Sequence, residues 1–202
     1  MEIIDCDQGT EEWKRARLGL PTASEFSTIM ASGRNAGESV TRKKYMLQLA
    51  GEIITGEPAP DTFSSAHLER GKIMEDEARE YYAFVRSVQV TRVGFIRNGI
   101  KGCSPDSLVG TDGANEIKSA LPHILGALLL QETFPAEHKP QCQGVLWVAE
   151  RQWIDLVVYW PKMPTLIRRA YRDEEYIKKM SDAVDVFHAE LQQTVERLRS
   201  ML

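Results

Sequence analysis

Three residues of the sequence could act together on a phosphodiester. They are Asp106, in Ser104-Pro105-Asp106, and Glu116 and Lys118, in Glu116-Ile117-Lys118, which begins after nine intervening residues. Side chains alternate along a strand, so Glu116 and Lys118 share one face and Ile117 turns to the opposite, core face. Asp112-Gly113 is a hairpin signal, and it folds the strand of Glu116 back on the strand of Asp106. Depending on a register that the pattern leaves open, the two carboxylates converge at one end of that hairpin. Hard oxygen ligands of this kind bind Mg²⁺, which keeps several waters and accepts phosphate oxygens as further ligands. A lysine beside them can hold an attacking water and offset charge developing on the phosphate. A D…E-x-K string also arises by chance, and Glu-x-Lys on a strand is ordinarily a solvated pair. The surrounding elements therefore matter.

Those elements read as follows. Residues 10–56 are helical. Thr10 caps a first helix with Glu11 and Glu12 in its opening turn. Pro21-Thr22-Ala23-Ser24 breaks the pattern, and a second helix starts near Thr22 or Ser24. Gly33 to Gly37 reads as a loop, and a third helix runs from Ser39-Val40-Thr41 through Ile54. Residues 64–86 form a helix with an uneven apolar side and many charges, Glu69 and Glu75 among them. From residue 88 the character changes. Val88–Ile96, Gly102–Val109 and Ala114–Ser119 are short β-type runs, with hairpin turns at Asn98-Gly99 and Asp112-Gly113. Helical pieces at 122–132 and 137–150 follow, the second containing Gln141-Cys142-Gln143. Gln152–Trp160 is then a buried-type strand closed by Pro161. Residues 173–202 carry a near-heptad stripe (Tyr176, Met180, Val184, Phe187, Leu191, Val195, Leu198, Leu202). It reads as one long helix laid on its own domain rather than a coiled coil.

Composition bounds the classes. The chain has 202 residues, 43% hydrophobic and 27% charged, enough for a sizeable core and consistent with one domain. The expectation is a single domain over 1–202. It has a mainly helical part (1–86), a sheet core that carries Asp106, Glu116 and Lys118 (88–160), and a C-terminal helix (173–202). A net charge of −4 argues against a protein that coats nucleic acid non-specifically, so any DNA must be held in a local positive groove. Three scattered cysteines make neither a disulfide framework nor a zinc ribbon. The N-terminus is not a signal peptide, and no apolar run approaches a membrane span. A cytoplasmic setting without membrane contact is expected.

Taken together, the strings resemble the λ-exonuclease/YqaJ-type viral recombinase nucleases, a branch of the PD-(D/E)XK superfamily. The resemblance spans roughly residues 7 to 161. It rests on Gln8-Gly9-Thr10 with Trp13, Ala16-Arg17-Leu18-Gly19, Thr22-Ala23-Ser24, and Glu69-Arg70-Gly71-Lys72 with Glu75. It continues through Ser104-Pro105-Asp106, Glu116-Ile117-Lys118, and Gln141-x-Gln143 with Leu146-Trp147-Val148. Each string is short, and their order and spacing together are specific. Ser107 departs from the family, which usually has glycine after the aspartate.

The resemblance implies an α/β fold with a mixed central β-sheet flanked by helices, a restriction-endonuclease-like core. It implies metal ligation by Asp106, Glu116 and the Ile117 main-chain carbonyl, with Glu75 serving a second metal, although Glu75 also suits a plain pairing with Arg79. It makes Lys118 the residue that positions the water, and Gln143 a catalytic glutamine beside the site. Arg17 and Ser24 become a pocket for a 5′-terminal phosphate; on its own residues, Arg17 reads as one more surface cation beside Lys14 and Arg15. The implied activity is a Mg²⁺-dependent 5′-to-3′ exonuclease with two ions per site, Mn²⁺ substituting. It would degrade one strand of linear double-stranded DNA and leave 3′ overhangs for phage-type recombination. The implied partners are DNA ends, two further copies in a homotrimer ring, and a single-strand annealing protein. Two alternatives stand beside it: a structure- or site-specific endonuclease of the same superfamily, and a non-catalytic DNA-end-binding protein.

Overall fold

The computed structural model describes residues 1–33, 39–60 and 65–201, the side chains of residues 65–72 excepted. Most of the expected Gly33–Gly37 loop, and the side chains of Glu69, Arg70 and Lys72, therefore lie outside the described residues.

A three-residue strand β1 (Glu2–Ile4) precedes helix α1 (Glu11–Arg17). Thr10 caps α1 by accepting the Trp13 N–H at 3.3 Å, and the acidic first turn faces the positive end of the helix dipole. A short 3₁₀ turn (Ala23–Glu25) leads into α2 (Phe26–Met30), followed by α3 (Val40–Thr55) and α4 (Ser65–Arg86). Ser39 caps α3 through the Arg42 N–H, and Gly56 ends it with φ of 72°.

Two sheets follow. The smaller has the order β1-β3-β4, with β3 at Phe95–Asn98 and β4 at Lys101–Cys103, joined by the expected Asn98-Gly99 turn. The larger contains β2 (Val90–Thr91), β5 (Ser107–Val109), β6 (Gly113–Ser119), β7 (Trp153–Tyr159) and β8 (Leu166–Tyr171), ordered β2-β5-β6-β7-β8. Only β6–β7 is parallel; the other pairs are antiparallel. The crossover between β6 and β7 carries α5 (Pro122–Leu130) and α6 (Lys139–Val148), as a parallel pair requires. The result is the expected mixed sheet flanked by helices.

Some boundaries differ from the sequence reading. The run 88–96 divides between β2 and β3, and the run 102–109 divides between β4 and β5. In each case the chain leaves one sheet and joins the other, and Ser104-Pro105-Asp106 is the second crossing. Strands β1 and β8 were not anticipated. The first is too short to show a period; the second is an edge strand with two arginines, Arg168 and Arg169.

The last helix, α7 (Glu174–Arg199), buries Ile177, Met180, Val184, Phe187, Leu191 and Val195. It packs on α2, α3 and α6 of its own chain, as the heptad-like stripe suggested. Among the described residues no helix is long and apolar enough to cross a membrane.

Candidate active site

Strand β6 outruns its neighbour. Ser107 pairs with Asn115 at the last rung of β5–β6, while β6 continues to Ser119 along β7. The edge beyond Asn115 is thus open on the β5 side. Asp106, immediately before β5, closes over it: Oδ2 accepts the Ile117 main-chain N–H. The N–H and C=O of one extended residue point to the same side of a strand, so the Ile117 carbonyl also points to the edge that Asp106 guards.

Glu116 and Lys118 project together from the opposite face to Ile117, which packs with Ala78, Tyr82 and Val157. Glu116 is 3% exposed. Its Oε1 takes Lys118 Nζ at 2.7 Å and also the Gln141 side-chain amide from α6. Its Oε2 is buried with no hydrogen-bond partner. A buried carboxylate oxygen without a donor is costly unless a cation or proton satisfies it, and this fits a metal ligand. Among the described residues no group of three His, Cys, Asp or Glu side chains is gathered closely enough to hold a metal by itself. The main-chain carbonyl would have to contribute.

Electrostatics agree with that crowding. Burial raises Asp106 well above the ordinary carboxylate range, and the charges of Glu116 and Glu75 raise it further. Glu116 is likewise raised, by burial and by Glu75, against the lowering effect of Lys118. Burial alone would lower Lys118; the Glu116 carboxylate outweighs it, and the ammonium is held more firmly than usual. Negative charge is concentrated here beyond what the fold neutralises by itself.

Glu75 belongs to this cluster. It lines one cavity with Ile117 and Lys118 and another with Asp106, and it also pairs with Arg79. The expected pairing with Arg79 is present, and Glu75 also stands beside the Asp106 and Lys118 groups.

The strings near the N-terminus hold the Ser104-Pro105-Asp106 crossing in place. Gln8 Nε2 donates to the Val93 and Pro105 carbonyls at 3.0 and 3.1 Å, and the Trp13 indole donates to Ser104 Oγ at 2.8 Å. Trp13, which enters the sequence reading only with the strings of the family resemblance, is therefore a brace for Ser104-Pro105-Asp106. Its ring also carries the Arg17 guanidinium, 3.9 Å from the centroid. Arg17 reaches Thr22 Oγ1 at 3.5 Å, and Thr22 Oγ1 lies 3.2 Å from Ser24 Oγ. Burial lowers the Arg17 pKa; an arginine nonetheless stays charged.

The break between Arg17 and Thr22 is itself built. Gly19 adopts φ of +67°, and a Cβ there would sit 2.4 Å from Ile53 Cγ1. Its N–H donates to the buried Glu52 carboxylate at 2.9 Å. Tyr45 accepts the Thr22 N–H at 3.3 Å and donates to the Leu20 carbonyl at 3.4 Å.

One cleft of about 180 Å³ gathers these groups: Arg17, Thr22, Ser24, Ser104, Asp106, Glu116, Lys118 and Gln141. The structure therefore brings together Arg17, Ser24, Asp106, Glu116 and Lys118, with Ile117 and Glu75 adjoining. It does not bring Gln143. That residue is 2% exposed and turned away, its amide donating to the Tyr171 carbonyl and accepting the Asp173 N–H, both at 2.8 Å. Residues two apart on a helix point about 200° apart, so only one glutamine of Gln141-x-Gln143 can face the site, and it is Gln141. Gln141, Thr22 and Ser104 stood in the quoted strings, but nothing in their types alone marked them as site residues.

Residues 12–152 match the YqaJ-like viral recombinase domain. Among solved structures, the chain is similar to an alkaline exonuclease (LHK-Exo) from Laribacter hongkongensis. The match has 31% identity and a TM-score of 0.84, over 95% of this chain and 97% of that one. The same exonuclease in complex with dAMP matches at 32% identity, with a TM-score of 0.84 and the same coverage. A phage related exonuclease from Haemophilus somnus 129PT shares the fold, at 15% identity and a TM-score of 0.68 over 89% of this chain and 96% of that one. No curated protein matches the chain. The extent of the domain match, and near-complete alignment with a relative above 30% identity, settle the relationship: the chain belongs to the YqaJ-like viral recombinase family.

Proposed function

We propose that this nuclease is a Mg²⁺-dependent 5′-to-3′ exonuclease that degrades one strand of linear duplex DNA and leaves 3′ overhangs for recombination by strand annealing. Family membership and the likeness to an alkaline exonuclease support the nuclease class. The observation that carries the finer reading is the shared cleft, in which Arg17 and Ser24 face the Asp106, Glu116 and Lys118 set. A group that grips a terminal phosphate beside the cutting groups gives the reaction a direction.

Asp106, Glu116 and the Ile117 carbonyl would hold one ion, with Glu75 turned toward a second. Bound there, Mg²⁺ supplies Lewis acidity at the phosphate and lowers the pKa of its water. Lys118 Nζ, fixed on Glu116, holds and orients the attacking water. The water oxygen bonds to phosphorus, the bond to the 3′ oxygen breaks, and that oxygen leaves as the 3′ hydroxyl of the released nucleotide. The shortened strand keeps a 5′-phosphate, which Arg17 and Ser24 then grip for the next cycle. Gln141, bonded to the same Glu116 oxygen as Lys118, keeps that carboxylate from rotating.

A homotrimer ring, an annealing protein as partner and a bacterial cytoplasmic setting belong to the same proposal. A chain of net charge −4 has little long-range pull on DNA, and a ring would gather lysines and arginines of each copy around one channel. Sedimentation at micromolar concentration should give three times the 22.8 kDa chain mass; a monomer would contradict the ring. Covalently closed circular duplex should resist the enzyme, and its cleavage would replace the exonuclease by an endonuclease.

A further inference from the structure

The helix that carries Glu75 sits on the sheet through polar contacts as well as the apolar packing of Ala78 and Tyr82. Across four strands, Ser107, Asn115, Asp155 and Arg169 occupy one continuous row, each paired in register with the next. Ser107, Asn115 and Asp155 are fully buried. On α4, Glu75, Arg79, Tyr82 and Arg86 recur at the spacing of one helical face. Tyr82 donates to Asp155 at 2.9 Å, Arg86 lies 3.9 Å from it, and Arg169 grips it with two bonds of 2.8 Å. Apolar packing tolerates sliding; donor–acceptor pairs of this kind fix the helix along and around its axis.

Arg79 is the part of this register nearest the site, and it is 7% exposed. Its Nε donates to Ser107 Oγ at 3.2 Å, one terminal nitrogen to Asp76 at 2.6 Å, and the other to Glu75 Oε1. Ser107 Oγ donates in turn to the Asp106 carbonyl at 2.6 Å. One chain of contacts thus runs from Glu75 through Arg79 and Ser107 to the backbone of Asp106. A surface ion pair would end at Glu75–Arg79 in solvent; here Arg79 is buried, Glu75 is half-buried, and the pair is anchored on β5, directly after Asp106.

We infer that Arg79, braced by Ser107, is the positioning residue that sets Glu75 against the Asp106–Glu116 edge. The inference rests on reading Glu75 as a ligand of the second ion. Arg79 engages one oxygen of Glu75 and leaves the other for the metal. The serine after Asp106 is the acceptor that makes this brace available, and a glycine at that position would remove it.

The test is Mg²⁺ calorimetry on the full chain without DNA, read beside the Mg²⁺ dependence of cleavage. Arg79→Lys, which keeps the charge but loses the fork, and Ser107→Ala should each weaken the lower-affinity Mg²⁺ site roughly tenfold, the usual scale for groups that orient a ligand. The Mg²⁺ needed for half-maximal cleavage should rise by about the same factor, while metal-free binding to a 5′-phosphorylated duplex stays unchanged. Adding Arg79→Lys to Glu75→Gln should have no further effect, since nothing is left to position. An unchanged Mg²⁺ isotherm in both single variants overturns the inference, as does an equal effect of Arg79→Lys in the Glu75→Gln background. A wild-type protein that binds Mg²⁺ with this coupling yet cuts no DNA defeats the proposed activity and leaves the positioning role standing. Cleavage without the coupling defeats the positioning role alone, and absence of Mg²⁺ binding in the wild type defeats both.

Discussion

Asp106 accepts the main-chain N–H of Ile117, eleven residues later, across the unpaired edge of β6. A side-chain carboxylate thereby takes the place of a missing strand at the point where the ladder stops. It also sets the carboxylate on the same edge as the Ile117 carbonyl, and the neighbouring Glu116 Oε2 is left without a donor. The arrangement gathers oxygen and negative charge that the protein itself does not neutralise.

Asp106→Asn and Glu116→Gln keep the shape of the site and remove its charge. Each should cut activity by about 1,000-fold or more, since metal-assisted stabilisation of several kcal/mol is lost. Binding to DNA ends without metal should persist. Activity within about tenfold of wild type at saturating Mg²⁺ would refute the ligand assignment.

The same carboxylates set a pH dependence. In the unfolded chain both ionise near pH 4; in the fold burial and neighbouring carboxylates, Glu75 beside both and Glu116 beside Asp106, push both upward. Above pH 4 the folded chain therefore binds more protons than the unfolded one, and stability falls as pH rises through the folded-state values. Thermal melting in EDTA should show Tm falling from mildly acidic to alkaline pH. Glu116→Gln should flatten that slope and melt above wild type at alkaline pH, and a steeper slope in the variant would contradict this.

Gln141 and Gln143 should separate cleanly. Gln143→Ala deletes two partly buried hydrogen bonds at the junction of β8 and α7, to the Tyr171 carbonyl and from the Asp173 N–H. It should cost about 1–3 kcal/mol of stability with turnover at low temperature unchanged. Gln141→Ala should do the reverse, slowing cleavage with little change in denaturant midpoint. The opposite assignment of effects would restore Gln143 to the site.

This pair also marks where sequence reading stops. Asp106, Glu116 and Lys118 were legible because a strand has period two and a hairpin turn brings its arms together. Which glutamine of α6 faces the site depends on the rotation of a helix between two layers, and both neighbours of Gln141-x-Gln143 are apolar enough to be buried either way. The division of 88–109 between two sheets was hidden for a related reason. Val93, Phe95 and Ile96 are all buried, so the first crossing, between β2 and β3, reads as part of one β-type run. Gln8 and Trp13 carried a family signal with no visible chemistry, because their partners are the main chain and hydroxyl of a loop about 90 residues away.

Lys118→Ala should abolish turnover while Mg²⁺ binding by calorimetry remains, because the ammonium touches Glu116 Oε1 and leaves Oε2 available. Loss of Mg²⁺ binding together with turnover would make Lys118 a structural partner of Glu116 instead.

Direction is the central claim, and it rests on Arg17 standing beside Ser24 in the cleft of the cutting groups. The measurement is digestion of a linear duplex labelled separately at each end, with a 5′-phosphate or 5′-hydroxyl, with and without Mg²⁺, for wild type and Arg17→Ala. Mg²⁺-dependent release of the 5′ label first, with phosphorylated ends preferred, is predicted. Arg17→Ala should slow phosphorylated ends by about 10- to 150-fold, the value of a charge-assisted contact of 1.5–3 kcal/mol, and hydroxyl ends hardly at all. Release of the 3′ label first, or equal slowing of both kinds of end, would contradict the account.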